Sequence, residues 1–160
     1  MLKYVDSQIT FREIPDEVTL CINISNCPFK CKGCHSKELW ENIGTKLTTN
    51  EIDRLLRRGV TCICFMGGDS DLSALSQLLI YVKLHYTNVK TAWYTGRKEV
   101  PLFNFPLVLL DFVKLGPYII EKGPLDNPNT NQKLYRLDHT KEGFSLFENI
   151  TPKLWKKNSI

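Results

Sequence analysis

Three cysteines within eight residues are the strongest chemical signal in this sequence. Cys27, Cys31 and Cys34 form a C-x3-C-x2-C pattern in a segment that also contains Pro28 and Gly33. Soft thiolates are preferred ligands of zinc and of iron–sulfur clusters. A closed structural zinc site normally has four protein ligands, and a four-iron cubane is usually held by four cysteines. Three cysteines therefore predict a 4Fe–4S cluster in which one iron keeps an open position for a cofactor or a substrate.

A structural zinc site is the alternative interpretation of the same cysteines. Its fourth ligand would be His35 or the more distant Cys21. His35 directly follows Cys34, and this spacing is awkward if both side chains are to bind one ion. The spacing favours the cluster and leaves a non-catalytic zinc-binding module as the alternative.

The remaining cysteines lie in apolar runs that read as buried strands. Cys62 and Cys64 alternate along one run, so both point to the same face, and Cys21 lies in another run. Buried cysteines behave as small hydrophobic residues, which predicts that all three belong to the core. Residues 1–10 have no apolar signal-peptide segment, so we expect a cytoplasmic protein without stable disulfides.

Length and composition narrow the class of protein further. The chain has 160 residues, a length that suits one domain spanning 1–160. Apolar residues make up 42% and charged residues 24%, which is an ordinary composition for a globular protein. The formal net charge is +4. A nucleic-acid binder usually has a denser stripe of basic residues, so no nucleic-acid partner is expected. No segment approaches the roughly 18 apolar residues of a membrane span, so no membrane partner is expected either.

Strand and helix signals alternate along the first two thirds of the chain. Strands are predicted at 18–24, 60–66, 89–95 and 107–115, helices at 37–43, 48–59 and 72–85, and edge strands at 133–137 and 144–147. Thr48 and Glu51 fit a capping box at the start of the second helix, and Gly59 is its expected end. This alternation predicts an α/β fold with a parallel sheet and right-handed crossovers.

Three chemically unusual segments follow predicted strands. They are the cysteine loop, Gly67-Gly68-Asp69 and Tyr94-Thr95-Gly96. Ligands of open parallel sheets bind at the carboxyl ends of the strands. We therefore expect these segments to meet at one edge of the sheet and to form one site.

The cysteine pattern after a first strand resembles the cluster motif of the radical S-adenosylmethionine superfamily. Gly67-Gly68-Asp69 looks like the GGE-type motif of that superfamily, with Asp in place of Glu. Further segments resemble the activating proteins of anaerobic ribonucleoside-triphosphate reductase: Cys-x-Gly-Cys-His followed by Leu39-Trp40, then Trp93-Tyr94-Thr95-Gly96, Leu115-Gly116-Pro117-Tyr118 and Asn131-Gln132.

The resemblance implies a compact partial (β/α) barrel with a mainly parallel sheet, of the radical S-adenosylmethionine type. It implies that Cys27, Cys31 and Cys34 hold the 4Fe–4S cluster and that S-adenosyl-L-methionine chelates the fourth iron through its amino and carboxylate groups. The implied cofactor-binding residues are Gly67, Gly68, Asp69, Tyr94 and Thr95. Gly67 and Gly68 would approach the methionine moiety with their backbone, and Asp69 would accept from its ammonium group.

The implied activity is the formation of a glycyl radical on the large subunit of anaerobic ribonucleotide reductase through a 5′-deoxyadenosyl radical. The cofactors supply that chemistry, so no side chain is assigned a catalytic role. The electron would come from a donor such as flavodoxin or ferredoxin. A small-molecule radical enzyme related to carboxy-deazaguanine synthase is the alternative within the superfamily. Lys153, Lys156 and Lys157 around Trp155 are interpreted as a solvated tail.

Overall fold

The computed structural model describes residues 1–155, which form a mixed α/β structure with one eight-stranded sheet. The strands are β1 (Lys3–Thr10), β2 (Thr19–Ile24), β3 (Thr45–Lys46), β4 (Cys62–Met66), β5 (Lys90–Tyr94), β6 (Phe112–Leu115), β7 (Lys133–Leu137) and β8 (Phe147–Asn149). The α-helices are α1 (Thr49–Leu55) and α2 (Leu72–His85), and single 3₁₀ turns span Lys37–Trp40, Leu107–Leu109, Gly143–Leu146 and Thr151–Leu154. Lys156 and Lys157 of the predicted tail lie outside the described residues.

The sheet is parallel at its centre and antiparallel at its flanks. Its strand order is β3-β1-β2-β4-β5-β6-β7-β8. The pairings β2–β4, β4–β5 and β5–β6 are parallel, as the alternation of strands and helices predicts. The flanking pairs β1–β2, β1–β3, β6–β7 and β7–β8 are antiparallel. The carboxyl ends of the four central strands therefore meet at one edge of the sheet.

The two faces of the central strands bury different side chains. On one face, large residues of the strands such as Ile63, Phe65 and Trp93 pack against α2, which contributes Leu75 and Leu79. The opposite face carries a smaller core that contains the cysteines predicted to be buried. Cys21, Cys62 and Cys64 are each 0% exposed there, which confirms the prediction that they are core residues.

Both α-helices begin at a side-chain cap. The hydroxyl oxygen of Thr48 accepts from Glu51 N at 3.3 Å at the start of α1. The reciprocal half of the predicted capping box is not formed, because the Glu51 carboxylate is held by Tyr4 and Arg54 instead. Helix α1 ends at Leu55, before the predicted stop at Gly59. Helix α2 spans the predicted residues 72–85.

Other predicted boundaries shift where apolar runs include short turns. The predicted strand 107–115 is divided into a 3₁₀ turn at Leu107–Leu109 and strand β6. The predicted edge strand 144–147 is mostly a 3₁₀ turn, and β8 begins at Phe147. The predicted helix 37–43 is a single 3₁₀ turn at Lys37–Trp40. Within residues 1–155, neither α-helix combines the length and the apolar character needed to cross a membrane.

Candidate functional site

The cysteine loop leaves the end of β2 and is fixed by backbone hydrogen bonds. Asn26 N donates to Glu41 O at 2.9 Å, and Cys27 N donates to Leu39 O at 2.9 Å. Asn26 has a φ of 62°, a left-handed conformation that asparagine adopts more readily than most residues. The chain therefore turns sharply just before Cys27 and returns along the segment that contains Leu39 and Glu41.

Two glycines allow other segments to pack closely on this loop. A Cβ at Gly33, which has a φ of +76°, would lie 2.7 Å from Ile120 Cδ1. A Cβ at Gly96, in the turn after β5, would lie 2.7 Å from Phe29 Cδ2. Both distances are too short for carbon atoms in contact. The loop thus lies between Ile120 and the turn after β5, and a side chain at either glycine would require Ile120 or the Phe29 ring to move.

The three loop cysteines are half-buried free thiols. Ser36 N donates to Cys34 Sγ at 3.4 Å. Hydrogen bonds to sulfur are among the features that tune iron–sulfur clusters, and three soft thiolates on one loop fit such a cluster chemically. Within residues 1–155, no three His, Cys, Asp or Glu side chains are gathered around a point where a single metal ion could bind.

Both residues considered as a fourth zinc ligand have other surroundings. His35 Nε2 lies 3.4 Å from the hydroxyl oxygen of Tyr118, and the two rings are 5.4 Å apart between centroids. Cys21 is fully buried in the core of the sheet. Neither side chain is therefore grouped with the loop cysteines in the arrangement that a mononuclear zinc site requires.

A cavity of about 230 Å³ lies at the carboxyl edge of the central strands. Seven of the eight residues predicted for the site line it: Cys27, Cys31, Cys34, Gly67, Asp69, Tyr94 and Thr95. The expectation that three separate segments meet at one edge of the sheet is confirmed by this geometry. The cavity combines three thiols, the carboxylate of Asp69 and the half-buried Gly67.

One row of side chains across the sheet contributes to the lining of this cavity. Asn23, Met66, Tyr94 and Lys114 are successive register partners on β2, β4, β5 and β6, and all four line the cavity. We call these four residues the floor row. The Tyr94 hydroxyl donates to the backbone oxygen of Glu13 at 2.6 Å, which anchors the ring in this row.

Asp69 is a buried carboxylate with one oxygen already engaged. Its side chain is 2% exposed, and its Oδ1 accepts from Thr95 Oγ1 at 2.6 Å and from Arg97 Nε at 2.8 Å. Burial raises the pKa of Asp69, and the hydrogen bonds from Thr95 and Arg97 oppose that shift. Among the described residues, no side chain donates to Oδ2.

Gly67 and Gly68 have different environments although both have a positive φ, +110° and +94°. Gly67 lines the cavity, and its carbonyl oxygen accepts from Trp93 Nε1 at 2.9 Å. Gly68 does not line the cavity. A Cβ there would point toward the core under α2, 3.4 Å from both Leu2 and Leu75. The structure therefore gives Gly68 a conformational role, and Gly67 is the one of the two glycines that lines the cavity.

Two basic residues of the site were missed by sequence reasoning. Arg97 holds Asp69, and Lys114 is the cationic member of the floor row, with its Nζ 3.2 Å from Gly116 O. Burial lowers the pKa of Lys114 to about 8, although the nearby Asp69 carboxylate opposes this shift. A lysine inside the apolar strand segment Phe-Val-Lys-Leu is the signal that could have identified Lys114.

The comparison with protein families agrees with the chemistry of this cavity. A family model described as "4Fe-4S single cluster domain" matches residues 17–134, nearly three quarters of the chain. The matched region begins just before β2 and ends in β7, so it contains the cysteine loop, the glycine turn and the floor row. The search of curated proteins and the search of solved structures each gave no match.

Proposed function

We propose a radical mechanism for this chain, which belongs to the 4Fe-4S single cluster domain family. In this proposal it is a radical S-adenosylmethionine activase that generates a glycyl radical on anaerobic ribonucleotide reductase. One observation carries the proposal: the three loop cysteines, the Gly67 backbone and the Asp69 carboxylate line the same cavity. When bound there, the cluster and S-adenosyl-L-methionine would supply a 5′-deoxyadenosyl radical.

The cluster would be held by Cys27, Cys31 and Cys34. Three thiolates leave one iron of a cubane without a protein ligand, and that iron is where a chelating cofactor can bind. The half-buried state of the three cysteines supports access to this position from solvent. The close contacts of Gly33 with Ile120 and of Gly96 with Phe29 support a loop held in one geometry.

The polar groups of the cavity are complementary to the amino acid end of the cofactor. Asp69 Oδ2 would accept from the ammonium group, because Thr95 and Arg97 use only Oδ1. Lys114 would neutralise the carboxylate, because it is a partly buried cation that lines the same cavity. The backbone of Gly67 would pack against the methionine moiety without interference from a side chain.

The sheet is suited to the partial barrel that the proposed function requires. The carboxyl ends of β2, β4, β5 and β6 border the cavity, and the helices cover the face of the sheet opposite the floor row. This arrangement supports a radical S-adenosylmethionine type of fold in which the antiparallel strands extend both edges of a parallel centre.

The partner in this proposal is a protein, because the cavity is partly open to solvent and its cysteines are only half-buried. Radical chemistry needs a site that excludes water and side reactions. The large subunit of the reductase would provide that cover by presenting a loop with the target glycine. A small electron-transfer protein such as flavodoxin or ferredoxin would reduce the cluster.

Anaerobic reconstitution tests the proposed function in three steps. The protein should bind iron and sulfide and show the absorption of a 4Fe–4S cluster, whereas a zinc-binding module would retain zinc and stay colourless. Reduction in the presence of S-adenosyl-L-methionine and the reductase should then yield 5′-deoxyadenosine and the paramagnetic signal of a glycyl radical. Efficient turnover of a small molecule without a glycyl signal would replace the activase assignment by that of a small-molecule radical enzyme.

A further inference from the structure

A layer of buried thiols lies directly beneath the floor row of the cavity. Cys21, Cys64 and Ala92 are register partners on β2, β4 and β5, two residues before Asn23, Met66 and Tyr94 of the floor row. Side chains two residues apart on a strand share a face and are separated by about 6.6 Å. The Cys21 and Cys64 thiols are therefore one row of side chains away from the cavity.

These thiols take no part in the proposed site, and the Cys64 thiol remains protonated. Cys21, Cys62 and Cys64 are each 0% exposed and belong to one core cluster with Ala92 and Tyr94. Burial raises the pKa of Cys62 and of Cys64, so both carry an S–H group at neutral pH. An S–H bond is weak enough to give its hydrogen atom to a carbon radical.

Met66 and Tyr94 are the floor-row side chains next to Cys64, whereas Asn23 lies above Cys21. Met66 lies two residues after Cys64 on the same strand, and Tyr94 is its register partner. The residue two before Tyr94 on β5 is Ala92, which is the register partner of Cys64. Because the Ala92 side chain is small, the phenol ring of Tyr94 is the larger group in this part of the core cluster that contains Cys64. Both residues line the cavity and pack on the thiol cluster, so they border both spaces.

We infer that Tyr94, together with Met66, is a barrier that prevents a radical in the cavity from reaching the buried thiol of Cys64. This inference rests on the proposed function for the source of the radical. Without the barrier, a carbon radical would take the hydrogen atom of Cys64: a C–H bond forms, the S–H bond breaks and the unpaired electron moves to sulfur. The cofactor would then be consumed without oxidising the partner's glycine. The Tyr94 hydroxyl is itself directed to the backbone oxygen of Glu13.

Thiol labelling of the cluster-loaded protein tests the barrier without any radical chemistry. Folded protein is treated anaerobically with a small maleimide, and modified cysteines are mapped by mass spectrometry. Cys21 and Cys64 should stay unmodified in the wild type and in Tyr94→Phe, which keeps the ring. Tyr94→Ala should increase the labelling rate of Cys64 about tenfold or more, because it opens a path from the cavity to that thiol. Equal rates in wild type and Tyr94→Ala, at equal iron content, would overturn the inference.

The coupling of cofactor cleavage to glycyl radical formation tests the consequence of the barrier. Tyr94→Ala should increase the ratio of 5′-deoxyadenosine to glycyl radical, and adding Cys64→Ala should restore it toward the value of the Cys64→Ala single variant. If Tyr94→Ala makes Cys64 accessible to the label but leaves the ratio of 5′-deoxyadenosine to glycyl radical unchanged, the inference would be overturned. If Tyr94→Ala does not fold, Met66→Ala removes the floor-row side chain directly above Cys64. The labelling rate and the ratio of 5′-deoxyadenosine to glycyl radical are then measured on that variant. A wild type that never cleaves the cofactor would contradict the proposed function, while the labelling result still decides the barrier.

Discussion

At the scale of single residues, the six cysteines fall into two groups with different environments. Cys27, Cys31 and Cys34 are half-buried on one loop at the cavity, whereas the other three are buried within the sheet. Thiolate ligands must be reachable by the cluster and must deprotonate, which the loop position permits. Burial raises the pKa of Cys62 and Cys64, so these two thiols stay protonated because desolvation disfavours their charged form. The same residue type therefore serves as a candidate ligand in one place and as a core residue in another.

Replacing one cysteine of each group should separate these roles. We expect Cys31→Ala to lose most of its iron and sulfide after reconstitution, because one of three protein ligands is removed. Cys64→Ala should keep its iron content and lose about 1 kcal/mol or more of unfolding free energy, since it leaves a small cavity in the core. Iron and sulfide analysis with denaturant unfolding measures both effects. Wild-type iron content in Cys31→Ala would contradict the assignment of the cluster ligands.

Asp69 is the residue for which the structure makes the sharpest binding prediction. Asp69→Asn keeps the shape of the side chain but removes the charge, so Arg97 and any ammonium group lose their ionic partner. We expect S-adenosyl-L-methionine to bind about tenfold to hundredfold more weakly, the range for a charge-assisted hydrogen bond, with the cluster still assembled. Equilibrium binding to the reconstituted protein provides the measurement. Asp53→Asn, on the exposed surface of α1, is the matched control and should bind like the wild type.

At the scale of elements, the site depends on loops that pack against each other at the strand ends. The turn after β5 contacts the cysteine loop where Phe29 lies on Gly96, and the same turn supplies Thr95 and Arg97 to Asp69. The cysteine loop and the glycine turn are thus connected through the end of β5. A change in that turn should alter cluster binding although no ligand is touched.

Gly96→Ala tests this connection between elements. The added Cβ would lie 2.7 Å from the Phe29 ring, so the ring must move and carry the chain between Cys27 and Cys31 with it. Overpacking of this kind typically costs about 1–3 kcal/mol, and we expect reduced iron content after reconstitution. The double variant Gly96→Ala with Phe29→Leu should recover iron because the smaller side chain makes room. Equal iron content in Gly96→Ala and in the wild type would show that the two elements are independent.

The elements that the sequence predicts well are those with a single strong pattern. The strands β2 and β4 are mostly apolar, β5 ends in the buried residues Ala92-Trp93-Tyr94, and α2 has leucines at helical spacing, so all four are found at the predicted places. Strand β1 was missed because it is a flanking strand with mostly exposed or half-buried residues and has no apolar run. Strand β3 has only two residues, too few for any periodicity.

At the scale of the whole molecule, the sequence predicts which segments come together at the site, because this depends only on the order of strands and motifs along the chain. Motifs that follow parallel strands must meet at one edge, which is why seven of the eight predicted residues line one cavity. The direction in which a glycine faces and the position of a long side chain depend on packing across the sheet, so they could not be predicted from the order of the motifs. For that reason Gly68 faces the helix side, and the roles of Arg97 and Lys114 emerge only when β5 and β6 lie next to each other.

The open cavity of the whole molecule leads to the last prediction, which concerns the partner. Cleavage of S-adenosyl-L-methionine by the reduced protein alone should be slow, because the loop cysteines remain partly exposed to solvent. Binding of the reductase would exclude water and place the target glycine at the cavity, so we expect cleavage to accelerate about tenfold or more. A reductase in which that glycine is replaced by alanine is the control, since it should still form the complex but give no glycyl signal. Measuring 5′-deoxyadenosine and the paramagnetic signal over the same time course distinguishes the cases. Cleavage that is equally fast without the reductase would mean that the chain covers its own cavity, and the requirement for a protein partner would then be wrong.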